Sequence, residues 1–110
     1  MGLTVPLIDR PLLKDVAAGA SPTSPGVDVA GCANLCFYAV GSAGVSAGAV
    51  IIEESHDIAY AGAWTPIGAA ITFIVGAAVP VRLAGTAKAI RARITTPVTG
   101  GTASVYVVGR

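Results

Sequence analysis

Glu53, Glu54, His56 and Asp57 fall within five positions of one another in the stretch IIEESHDIAYAGAWTPIG, and His56 is the only histidine of the chain. These residue types support two kinds of chemistry. Carboxylates held about 5 to 9 Å apart carry out general acid–base work on glycosides. Histidine with carboxylates at suitable spacing binds divalent metals. The spacing argues against both. In a strand, neighbouring side chains point to opposite faces, so Glu53 and Glu54 do not form a pair by themselves. A calcium loop needs several oxygens at alternate positions, whereas Asp57 is followed by Ile58, Ala59 and Tyr60. Ser55, His56 and Asp57 are consecutive, and neighbours in a chain rarely converge as a triad. The sequence has no G-x-S-x-G elbow and no glycine-rich loop carrying a lysine. The cluster therefore reads as the polar end of a strand entering a solvated turn, with an ion-pair site at an interface as the second reading. No catalytic residue, metal ligand or cofactor is expected, and the chain does not read as an enzyme.

Cys32 and Cys36 stand in GCANLCF, and His56 is the one further Cys or His ligand available to them. That is a poor zinc set. Residues four apart in an extended strand are about 13 Å apart, too far for a disulfide. Both cysteines read as reduced, buried or half-buried thiols, which fits synthesis in a cytosol. Trp64, the only tryptophan, reads as an anchor in the core or at an edge. The alternative is a sugar-stacking platform shared with Tyr60 and Tyr38, in a chain with only two Phe and three Tyr beside it.

The elements that must carry these residues are short strands. The chain has 110 residues, 54% of them hydrophobic but only 12% charged, with 14 Gly and 7 Pro spread along it. β-branched residues broken this often favour an all-β sandwich or barrel. A surface so poor in charge suggests coverage by partners. Net charge is +1 with no basic patch, which argues against nucleic acid as a partner. The nearest approach to a membrane span, Ala59 to Val81, lacks charge but contains Pro66, Pro80 and several glycines, so no membrane span is expected. The first residues, MGLTVPLIDRPLLKD, carry charges where a signal peptide would be apolar.

Residues 1–26 hold four of the seven prolines and read as an extended arm. Its apolar residues Leu3, Val5, Leu7, Ile8, Leu12 and Leu13 are too many for a free linker, so the arm packs on its own domain or on a neighbour, and a strand is possible over 12–17. Residues 27–110 read as the sandwich domain. NLCFYAVG sets Leu35, Phe37 and Ala39 against Cys36, Tyr38 and Val40. AVIIEES sets Val50 and Ile52 against Ile51 and Glu53. AWTPIG and ITFIV read as two separate strands, and VPVRLAG as an edge strand or a strand start because of Pro80. KAIRARITT sets Ile90, Ala92 and Ile94 against Arg91, Arg93 and Thr95, the alternation of a half-buried antiparallel strand. PVTGG reads as a turn. TASVYVVG is apolar on both faces, as in a strand covered on both sides or one that meets a partner subunit. The expected core comprises Phe37, Ile52, Trp64, Ile90, Ile94, Val105 and Val107, in an antiparallel, jelly-roll-like sandwich of about seven to eight strands.

AVIIEESHDIAYAGAWTPIG, followed by AIRARIT, a Gly/Thr turn and TASVYVVGR, resembles a pattern of small tailed-phage virion proteins, with a strand ending in E-x-S-x-D and a W-x-P-[IL] strand after it. The matching positions are Glu53, Ser55 and Asp57, then Trp64, Pro66 and Ile67, then Ile90–Thr95 with Thr102–Gly109. The apolar IAYAGA before Trp64 departs from the Gly/Asn-rich turn of that pattern. The resemblance covers residues 34–110 and is similar to capsid decoration (cement) proteins. It implies a β-sandwich or jelly roll on the outer capsid surface. Its partners would be the major capsid protein and further copies of itself, as a homodimer or homotrimer. A tail, neck or baseplate component with the same fold is the alternative, followed by a carbohydrate-binding module. The resemblance brings no active-site residue with it.

Overall fold

The computed structural model describes residues 8–110. They form eight strands: β1 (Ile8–Val16), β2 (Val27–Asp28), β3 (Asn34–Gly41), β4 (Ala47–Ser55), β5 (Thr65–Thr72), β6 (Ala78–Ala84), β7 (Ala89–Thr99) and β8 (Ala103–Gly109). The strands make two four-stranded sheets, ordered β1-β8-β3-β6 and β2-β7-β4-β5. Every pairing is antiparallel. The order is that of one long hairpin rolled upon itself. The β4–β5 connection is its tip, and outward from it β3 meets β6, β2 meets β7 and β1 meets β8. Every other connection crosses between the sheets. This is the jelly roll, in which two packed sheets bury one face each.

Alternation decides which face is buried. Leu35, Phe37 and Ala39 of β3 point inward, as do Val50 and Ile52 of β4, Ile90, Ala92 and Ile94 of β7, and Val105 and Val107 of β8. Phe37, the largest fully buried side chain, has no solvent exposure. Six of the seven expected core residues lie in this inter-sheet cluster. Trp64 is buried but lies outside it.

The first strand corrects the expected arm. β1 pairs with β8 from Ile8↔Gly109 to Val16↔Ala103, so the sandwich includes residues 8–16 and is not confined to residues 27–110. A register shift between Pro11 and Leu13 turns two consecutive leucines inward, and Leu12 and Leu13 are both buried in the core. They are thus spent on the chain's own fold rather than free for a partner. Ile8 packs on the core from its edge. Leu3, Val5 and Leu7 lie outside the described residues. A second shift follows Leu13, where Asp15 takes the left-handed conformation (φ 51°) and its amide donates to Ser104 Oγ at 2.9 Å.

Two other expectations change. Residues 65–72 form one strand, not two, with an interruption at Gly68, whose φ is 73°. β7 runs through Pro97 to Thr99 instead of turning there. The reason is a bulge: register shifts occur around Gly48, opposite Thr96 to Thr99, and Gly48 has φ 142° with Val98 packed on it. At that end β2 no longer flanks β7, so the missing proline N–H breaks no ladder with it. Pro11, Pro66 and Pro80 all sit on sheet-edge strands, β1, β5 and β6. Among the described residues no helix is long and apolar enough to cross a membrane.

Candidate functional site

Glu53 is the acidic residue that the fold treats unlike the others. It lies on the outward face of β4, yet it is 3% exposed. The register sets it directly opposite Arg91 on β7, with Arg93 one step along the same face. Arg91 Nε–H donates to Glu53 Oε1 at 2.9 Å and Arg93 Nε–H donates to Oε2 at 3.0 Å. Two guanidinium groups therefore share one carboxylate, each by a charge-assisted bond. Trp64 closes the group from above, with the Arg91 guanidinium 4.6 Å from its ring centroid. The loop between β4 and β5 thus folds back over the outer face of its own sheet. Trp64 Nε1–H donates to the Tyr60 carbonyl at 2.9 Å, which fixes the indole at the loop's base.

Gly26 is required on the far side of this ring. A Cβ there would meet the Ile58 carbonyl oxygen at 2.6 Å and Trp64 Cη2 at 2.9 Å. Tryptophan 64 is therefore the centre of a second, smaller layer outside the sheet. This corrects its expected place in the inter-sheet core. The cause is its position just before β5, where the chain is still returning over the outer face.

The remaining members of the polar cluster build the turn. Ser55 Oγ accepts from the Asp57 amide at 3.2 Å, and Asp57 Oδ1 accepts from the Ala59 amide at 2.8 Å. His56 meets the Tyr60 ring edge-on, with centroids 4.8 Å apart. Asp28 approaches His56 and Asp57 across an open depression of about 240 Å³ that Ile58 and Lys88 also line. Its carboxylate caps the Ala30 amide at 2.9 Å. Among the described residues no group of three or more His, Cys, Asp or Glu side chains is placed to hold a metal ion. Glu53, the one carboxylate in an ion pair among the described residues, has both oxygens bonded to arginine and is poorly placed to act as a base. Its partners stand 38 and 40 residues away. Arginines at alternate positions of one strand face were the signal that could have found them.

Tyr38, Tyr60 and Trp64 do not form one platform. Tyr60 and Trp64 belong to the β4–β5 loop over one sheet, and Tyr38 lies on the outer face of the other. Cys32 is buried and Cys36 half-buried, both as free thiols. A hydrogen bond to the Cys36 side chain and that group's charge push the Tyr38 hydroxyl above its ordinary range, with Arg82 pulling the other way. A wider depression of about 450 Å³ opens at the end of that sheet, lined by Asn34, Cys36, Arg82, Leu83, Val108 and Arg110 among others. Comparison with protein-family models, curated proteins and solved structures finds no match for the chain.

Proposed function

We propose that the chain is a structural virion protein, which binds the outer surface of a tailed-phage capsid and stabilises the shell by bridging neighbouring capsomers. The observation that carries this reading is the strand order β1-β8-β3-β6 over β2-β7-β4-β5, a jelly roll, an architecture common in viral capsid and lectin domains. Two further features support it. The polar cluster that most resembled a reactive site is engaged in turn formation and in the arginine pairing of Glu53. A chain with only 12% charged residues also suits a subunit whose surface is covered by neighbours. The work is mechanical: each copy buries area across a junction, about 1,600 Å² for an interface of standard size, and many copies add up. The partners are the major capsid protein and other copies of this chain.

Copy number tests the proposal. The chain is quantified by mass spectrometry against the major shell protein in virions that carry it. The expected result is a ratio of order one, or one small oligomer per capsomer junction. A handful to a few dozen copies would move the protein to the tail, neck or baseplate. Its absence from particles would overturn the virion reading.

A further inference from the structure

The outer face of the β1-β8-β3-β6 sheet has an internal symmetry of side-chain type. Its registers place residues in rows, two of them across all four strands. One row reads Asp9, Val108, Cys36, Arg82. The next reads Pro11, Tyr106, Tyr38, Pro80. A third reads Ser104, Val40, Ala78. The centre of the face is apolar or aromatic and half-buried, while Asp9 and Arg82 at opposite edges are exposed. Neither makes an ion pair among the described residues.

We propose that this face is the contact surface for a second copy of the same chain, in a two-fold dimer with the axis parallel to the strands between β8 and β3. A rotation about that axis exchanges β1 with β6 and β8 with β3. Asp9 of each copy then lies over Arg82 of the other, Pro11 over Pro80, and Tyr106 over Tyr38. The charges thus complement each other twice by symmetry, as an isologous contact demands. Tyrosines at the centre supply wide contact area with few rotatable bonds. Stacked sheets sit about 10 Å apart, and the tyrosine pairs fill that gap.

Area sets the strength. Four strands about 4.8 Å apart, overlapping over about seven residues, give a face of about 19 by 23 Å. Two such faces cover about 900 Å² in total, below the standard size of stable interfaces, so the dimer is weak and forms in the micromolar range. The inference deepens the virion reading by naming the surface that joins two copies, and it rests on that reading only for the expectation of self-association. Its test needs no capsid, so its failure and the failure of shell binding are separate outcomes.

The full chain is examined by sedimentation equilibrium from about 1 μM to about 1 mM. The expected result is a reversible monomer–dimer equilibrium. Arg82→Asp should weaken it about tenfold, since it replaces two opposite-charge contacts by two like-charge ones. Asp9→Arg should do the same, and the double variant, which restores both contacts across the axis, should recover the affinity. Cys36 supplies an independent reporter. Its Cα lies about 11 Å from its symmetry mate, too far for a direct disulfide but within reach of a short bis-maleimide. Cross-linked dimer should appear in the native chain and be lost in Cys36→Ser, since Cys32 is buried. A monomer at every concentration would overturn the proposal. So would a dimer indifferent to both charge reversals.

Discussion

Over the β2-β7-β4-β5 sheet the chain folds its own loop back, sets Trp64 on Arg91, and pairs two arginines with one buried glutamate. Over the β1-β8-β3-β6 sheet, Tyr38, Tyr106, Val40 and Val108 stand side by side and half-buried, with an acid at one edge and a base at the other. Both sheets are apolar inside by the same alternation. They differ in what completes the outside. The first is finished by the loop before β5, which carries Trp64, and by ion pairs that join β4 to β7 across 38 and 40 residues of sequence. The second carries groups whose complements, in the dimer we propose, lie on another copy. A jelly roll buries only one face of each sheet, so each outer face needs its own solution: here one is internal, and in the proposed dimer the other is external.

Substitutions sharpen this contrast in order of size. Trp64→Ala removes the ring that caps the first face. It should cost about 3 kcal/mol, the low end for a buried aromatic, because this layer lies outside the main core. Thermal unfolding should then fall by more than about 10 °C. Glu53→Ala leaves two arginines without their carboxylate. A fully buried pair would cost about 3–5 kcal/mol to break, but Arg91 and Arg93 keep 23% and 41% of their side-chain exposure, so about 2 kcal/mol is expected in urea denaturation. Gly26→Ala pushes a methyl toward the Ile58 carbonyl and the indole. It should cost about 1–2 kcal/mol by overpacking, with a change in tryptophan fluorescence as the ring is displaced. On the other face, Arg82→Ala should leave the stability of the dilute monomer within about 0.5 kcal/mol, since its side chain is exposed and unpaired among the described residues. A loss of several kcal/mol at Arg82, or none at Trp64, would erase the distinction between the faces.

Much of the inward pattern was legible in the sequence. NLCFYAVG, AVIIEES, KAIRARITT and TASVYVVG alternate cleanly, and the structure keeps their inner and outer sets. The apolar outer face of β8 was legible for the same reason. What escaped was non-local. Glu53 read as part of a solvated turn because its arginines are remote in the chain. Leu12 and Leu13 read as an arm because a bulge against β8, at the far end of the sequence, is what turns both inward. Asp15 and Ser104, which share a hydrogen bond, are 89 residues apart. Residues 63–75 read as two strands because Gly68 looked like an ending, whereas its positive φ lets the strand continue past it. Pro97 read as a turn because only the partner strand's Gly48 bulge makes room for it. Trp64 was legible as a buried anchor, but its layer was not, since that depends on the path of the loop before it.

The most direct test compares amide chemical shifts of the isotopically labelled chain at low and high concentration. Shifts that grow with concentration at Asp9, Cys36, Tyr38, Arg82, Tyr106 and Val108, and leave residues 56–64 unmoved, are the expected result. Shifts centred on residues 56–64 and β5, or none up to about 1 mM, would contradict the assignment of one face to the chain itself and the other to its partner.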